Sequence, residues 1–235
     1  MTRLGHLFPY LPKQPGYNKR MRALAPQIVR LLTTIARLSP SWCDNIRLLD
    51  STPVPCGASR ETVRRSEFAG YAAYGYCASH SRFFWGFRLY LLCAPDGMPI
   101  AFELAPANVP ERDVAAEMLR NVDLHGYTVI ADKGFAGEDF ETLMRELGAI
   151  FLRPDRKNDP SAWASSAACA NGSSRSSTPS RANSSSKTTA RTMPGLITRT
   201  AQRLLALAAA IWHNWQLWQA SAIDTPGRSL IAYDH

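Results

Sequence analysis

Two aspartates stand where carboxylates can do chemistry. Asp50 closes the run Ile46-Arg47-Leu48-Leu49, and Asp132 closes the run Tyr127-Thr128-Val129-Ile130-Ala131. Both runs are short and β-prone, so both carboxylates are expected at strand ends. Acidic groups at strand ends on one edge of a sheet can converge although far apart in the chain. Two or three of them hold hard divalent cations, which prefer oxygen ligands. A pair of such cations activates a water or a 3′-hydroxyl and stabilises the leaving oxygen in phosphodiester chemistry. The plainer role for either aspartate is to cap a strand or the turn after it.

The elements that must position these groups follow from hydrophobic period. Ile28, Leu31, Leu32, Ile35 and Leu38 recur at helical spacing, so residues 1–45 are expected to be partly helical. The first strand is expected over Ile46 to Asp50. The Gly-, Ala- and Tyr-rich stretch from Cys56 to Ser81 has little periodicity and is expected to be a long loop. Phe83 to Cys93 and Met98 to Leu104 flank Pro95-Asp96-Gly97, which predicts a hairpin. A helix is expected over Pro110 to Val122, with a first-turn proline and Glu111 and Asp113 at its positive end. The strand ending at Asp132 follows. Then come an amphipathic helix over Glu138 to Leu147, closed by Gly148, and a short strand over Ala149 to Leu152. The order is that of an α/β domain, a mixed sheet flanked by helices.

Residues 161–192 break this pattern. They are rich in Ser, Ala and Thr, with no periodic apolar set and no acid, the composition of a disordered linker. From Ile197 a strong helix resumes, with Ala201, Leu204, Leu205, Ala208, Ile211, Trp212 and Trp215 on one side.

The formal net charge is +8, which suits a polyanionic partner, nucleic acid first among them. Arg175, Arg181, Lys187, Arg191, Arg199 and Arg203 carry most of that excess. The five cysteines are odd in number and form no CxxC pair, which argues against a disulfide framework or a zinc site and fits a reducing compartment. No signal peptide is evident, and the apolar run from Leu204 to Trp212 is too short to span a bilayer, so a cytoplasmic protein is expected.

The residues around the two aspartates resemble a known family. Leu48-Leu49-Asp50-Ser51-Thr52-Pro53-Val54-Pro55-Cys56 resembles the first-Asp motif of DDE transposases of the insertion sequence 982 family. Phe84-Trp85-Gly86-Phe87-Arg88-Leu89-Tyr90 resembles the strand that follows it, and Ile130-Ala131-Asp132-Lys133-Gly134-Phe135 the second-Asp motif. The similarity runs over about residues 8–156 and again over about 197–235. It implies an RNase H-like core with helical N- and C-terminal additions, and a two-metal site using Mg²⁺ or Mn²⁺ with Asp50 and Asp132 as the first two acids. The implied DNA partners are insertion-sequence terminal repeats and target DNA, with a homo-oligomer assembling on them. Lys133 is then a phosphate contact or a solvated surface lysine, and Arg82 and Arg88 join it as candidate DNA contacts. His80 reads better as a solvated loop histidine, and His213 as helix packing between Trp212 and Trp215. Tyr71, Tyr74 and Tyr76 could stack on bases or pack their own loop.

One part of the family pattern is absent. It requires a Glu on a helix after the strand at Ala149 to Leu152, but no acid lies between Asp159 and Asp224. Reading the coding DNA of the Ser-rich segment one base earlier, so that each codon takes the last base of one old codon and the first two of the next, lets Gly172-Ser173-Ser174-Arg175-Ser176 become Arg-Ile-Glu-Ser-Val. The continuation is Ile-Asn-Thr-Leu-Lys-Gly-Gln-Leu, an amphipathic helix with a Glu where Ser174 stands. The expectation is a frameshifted, N-terminally short copy, inactive or nearly so. Its parts are a helical remnant over 1–45, a catalytic core over 46–160, an out-of-frame segment over 161–195, and a C-terminal helix and tail over 196–235. Two other classes stay open: a DNA-binding remnant that does not cut, and a nuclease of the same fold with no mobile-element role.

Overall fold

The structure is a computed structural model that describes residues 10, 12–57, 60–77, 81–154, 190 and 192–221. Most of the Ser-rich segment, Ser174 included, and His80 lie outside the described residues. Two helices open the described chain, α1 (Gln14–Ala23) and α2 (Ala25–Leu38), followed by a 3-10 turn over Pro40–Cys43. Next come β1 (Ile46–Gly57), α3 (Arg60–Arg65), β2 (Ala73–Cys77), β3 (Arg82–Cys93) and β4 (Pro99–Pro106). After α4 (Glu111–Leu119) the chain alternates through β5 (Thr128–Ala131), α5 (Glu138–Glu146) and β6 (Ile150–Leu152). A long helix, α6 (Met193–Ser221), ends the described chain.

The strands form one mixed sheet. β1 pairs antiparallel with β3 from Leu48↔Cys93 to Gly57↔Trp85. β2 and β4 share the other edge of β3, β2 against its first half and β4 against its second. On the opposite side of β1 lie β5 and then β6, both parallel to it. An antiparallel meander followed by two parallel strands, the first reached through α4 and the second through α5, is the RNase H-like arrangement. The hairpin and the later strands and helices stand within a few residues of their sequence-based positions.

Two expectations fail. β1 does not stop at Asp50 but continues to Gly57, because β3 is long enough to pair along all of it. The stretch from Cys56 to Ser81 is not a plain loop, since it contains α3 and β2. β2 has an alternating pattern that its glycine and tyrosines obscure: Tyr74 and Tyr76 are exposed while Cys77 is buried. Pairing to β3, which no local periodicity reveals, is what makes it a strand.

The sheet has helices on both faces. Arg47, Leu49, Val129 and Phe151 share one face by strand alternation and register. Phe140 of α5 packs edge-on against Phe151 at 5.3 Å on that face, and α4 packs against α5. The opposite face carries Val54, which packs against the buried cluster of Phe68, Trp85, Phe87 and Leu196 that Met193 of α6 also joins. α2 lies alongside α6 and also reaches β4. Leu32 and Ala36 of α2 and Leu204 and Ala208 of α6 are buried in the main core, so the helical flanks and the sheet are packed as one unit. Arg47 is the charged residue buried in this interior among the described residues, only 2% exposed. Its guanidinium donates to the carbonyls of Asp44, Ile46 and Trp42 at 2.7–2.8 Å and lies 4.1 Å from the Tyr127 ring centroid. A buried cation persists only with this degree of satisfaction.

The tightest approach in the sheet is at Gly86, where β1 and β3 slip register between Pro55 and Gly57. A Cβ there would overlap the Val54 carbonyl and lie 3.0 Å from the Cys56 nitrogen. Both neighbours are backbone of a central strand and cannot yield. Gly86→Ala is therefore expected to lower unfolding free energy by about 3 kcal/mol, the upper range for overpacking. Urea unfolding checks this, and an unchanged midpoint would show that the strands are not packed this closely.

Candidate functional site

The register of the central strands decides the site. β1 and β5 are parallel neighbours, with Leu48 opposite Ile130 and Leu49 opposite Ala131. One position further on, Asp50 and Asp132 stand side by side. Parallel neighbours in register point the same way, and strands lie ~4.8 Å apart, so two carboxylates share one small volume. Leu49 and Ala131 are buried and point to the α4–α5 side. Asp50 and Asp132 therefore face the opposite side, the one covered further along by α6, and both are open to solvent.

Each carboxylate is anchored through one oxygen. Asp50 Oδ1 accepts a hydrogen bond from the Ser51 backbone N–H at 2.8 Å. Asp132 Oδ1 accepts one from the Lys133 N–H at 2.7 Å and so caps the 3-10 turn over Lys133–Phe135. The capping role is thus real for Asp132, and it leaves the second oxygen of the carboxylate outside that bond. Neither aspartate forms a salt bridge with a side chain among the described residues. Asp50 is open on one side only, and partial desolvation against the sheet raises its pKa above the ordinary carboxylate value. The Ser51 N–H opposes that shift, and the negative charge of Asp132 adds to it. Two carboxylates facing each other without a cation between them are a hard-oxygen donor pair suited to one divalent ion. Among the described residues no group of three or more His, Cys, Asp or Glu is placed to hold a metal. A two-metal arrangement would need another acid.

Burial pushes the Cys56 thiol up to about 11 and the Cys93 thiol up to about 12, so both are protonated at neutral pH.

The candidate DNA contacts divide. Lys133 and Arg82 are exposed and form no salt bridge among the described residues. Lys133 directly follows Asp132, whereas Arg82 begins β3 at the far end of the sheet. Arg88 is held internally. It pairs with Glu111 of α4 and donates to Ser51 Oγ at 3.2 Å and to the Tyr76 carbonyl at 2.6 Å. Sequence reasoning missed this network. Glu111 had only the appearance of a helix N-terminal acid, yet its carboxylate ties α4 to β3 and abuts the turn after Asp132, where a Cβ on Gly134 would lie 2.8 Å from Glu111 Oε2. The available signal was Arg88 itself, a cation amid an apolar strand, which needs a partner. Tyr74 and Tyr76 sit on β2 rather than in a loop, and Tyr76 stacks on Phe83 at 5.0 Å. His213 lies within α6, partly buried.

Comparison with known proteins gives the family of the chain. A family model described as "Transposase DDE domain" matches residues 41–191, more than half of the chain and the span that contains both aspartates. No curated protein matches. Among solved structures, a piggyBac transposase synaptic complex with hairpin DNA superposes with a TM-score of 0.34 and 13% identity. That match covers 49% of this chain and 24% of that one; the chain thus spans about a quarter of that protein's length. No helix among the described residues is long and apolar enough to cross a membrane.

Proposed function

The chain belongs to the transposase DDE domain family, and we propose that it is a transposase of a bacterial insertion sequence of the 982 type, acting on element ends through Asp50 and Asp132. The observation that carries this reading is the register that sets the two carboxylates side by side on an open face. Bound Mg²⁺ or Mn²⁺ would supply Lewis-acid stabilisation of the phosphodiester oxygens and a more acidic water. The chain's own residues supply position. The Ser51 and Lys133 amides each fix one carboxylate oxygen, leaving the others for metal. The Arg88–Glu111 pair holds α4 against the strand that flanks Asp50. Lys133, beside Asp132, and Arg82 offer cations to DNA phosphates. Residues 46–160 form the catalytic core in this reading, with helical segments on either side, and copies of the chain assemble on paired ends.

A second reading rests on a specific observation. No third acid joins the pair among the described residues, and none occurs between Asp159 and Asp224. Such a chain holds DNA but cuts it poorly, because the second metal lacks a ligand. A frameshift would explain the gap, since codons of the Ser-rich segment read one base earlier can encode a Glu-bearing helix.

Binding and cleavage of the element's terminal repeats by the purified chain test both readings. Binding that persists in EDTA, with at most trace cleavage in Mn²⁺, is the expected result. Efficient Mn²⁺-dependent cleavage would overturn the decayed-copy reading and leave the transposase. Failure to bind terminal-repeat DNA at low salt would overturn the transposase reading itself.

A further inference from the structure

The helices on the carboxylate side of the sheet carry cations and no acid. α1 contributes Lys19, Arg20 and Arg22, α2 contributes Arg30 and Arg37, and α6 contributes Arg199 and Arg203. Asp and Glu are absent from all three helices, although α1 and α6 are about 170 residues apart in the chain. The tertiary structure packs α1 and α2 against α6, so two acid-free segments become one basic layer. Between α1 and α6 lies an open groove of about 770 Å³. Asn18 and Arg22 line it from one wall, and Arg199, Gln202 and Arg203 from the other. These spacings of three and four residues set the side chains on one helical face each. Arg22 and Arg203 are exposed and make no salt bridge among the described residues.

We propose that this α1–α6 groove binds the phosphodiester backbone of DNA. Guanidinium groups give bidentate contacts to phosphate, and the amides of Asn18 and Gln202 donate hydrogen bonds to the same oxygens. Among the described residues no acid lines the groove to repel a polyanion. The groove also lies on the side of the sheet that carries Asp50 and Asp132, since Leu196 at the start of α6 shares a buried cluster with Val54 of β1. A strand held there is anchored by protein elements outside the carboxylate pair, so it stays bound when that pair is empty. Contacts of this kind carry no base specificity. Their signature is the dependence of affinity on salt, about 0.9 in log–log slope for each phosphate neutralised.

The inference rests on the transposase reading, and the test separates the two. Fluorescence anisotropy of a short labelled duplex of arbitrary sequence, titrated with the full chain in EDTA over a range of salt, gives affinity and slope. Arg22→Ala/Arg203→Ala is expected to weaken binding about tenfold or more at low salt and to reduce the slope by about 1 to 2. Arg22→Lys/Arg203→Lys keeps both charges and is expected to retain the wild-type slope. That result excludes a folding defect as the cause, since both side chains are exposed. If the wild type binds and the alanine variant keeps its affinity and slope, DNA lies elsewhere and only the groove assignment falls. An alanine slope matched by the lysine variant would also overturn the assignment, because charge would not be the cause. If the wild type binds no duplex at any salt, both the groove and the transposase reading fall.

Discussion

Moving the reading frame by one base across codons 158–195, as the proposed frameshift requires, is expected to raise Mn²⁺-dependent cleavage of element-end DNA by roughly two to three orders of magnitude, the scale on which one preorganised partner of a transition state acts. The reason lies in the pair at the sheet centre. Asp50 and Asp132 suit one divalent ion, and no third acid stands with them among the described residues. A Glu-bearing helix after β6 would add a carboxylate to complete a two-metal site. The comparison is between the present chain, the repaired chain, and the repaired chain with its new Glu changed to Gln. The repaired chain should cut, and the Gln form should fall back to the level of the present one. A repaired chain no more active than the present one would remove the frameshift explanation. Equal activity of the Gln form would show that the added helix matters for packing and not for its acid.

Asp50→Asn is expected to abolish Mn²⁺ binding and at the same time to raise thermal stability at neutral pH. Loss of one carboxylate of the proposed ligand pair should weaken binding beyond the ~10–100-fold that outer groups alone command. The stability effect has the opposite sign because the folded state disfavours the ionised carboxyl. Burial, and then the charge of Asp132, raise the pKa of Asp50. A group whose folded pKa lies above its unfolded one contributes stability below the unfolded pKa and loses it as pH rises through the folded one. At neutral pH the wild type therefore carries a destabilising charge that Asn removes. In acid, where Asp50 is protonated in both states, the advantage should vanish. Isothermal titration with Mn²⁺ reads the first effect, and melting curves across pH without metal read the second. A wild type more stable than Asp50→Asn at neutral pH would mean that Asp50 has a stabilising partner, and Mn²⁺ affinity retained in the variant would remove Asp50 from the ligand set.

The pattern of residues determined much of this protein. The two apolar runs that end in aspartate, the hairpin around Pro95-Asp96-Gly97, and the helices around Phe140 and Leu204 were legible because each is a local periodic signal. Expectations failed where a partner strand made the difference. β1 runs through Asp50 because β3 pairs beyond it, and β2 forms from a Gly- and Tyr-rich stretch because β3 offers it an edge. Pairing of this kind depends on residues remote in the chain, so no local window contains it. The same holds for the site. Sequence marked Asp50 and Asp132 as strand-end acids, but only the parallel register of β1 and β5 makes them neighbours. Arg88 looked like a hand for DNA, and only the position of α4 turned it inward onto Glu111. The acid-free character of α1, α2 and α6 was written in the chain as well. That it amounts to one basic face beside the carboxylates was decided by packing, because apolar stripes on helices far apart in sequence are buried most completely against each other and the same sheet.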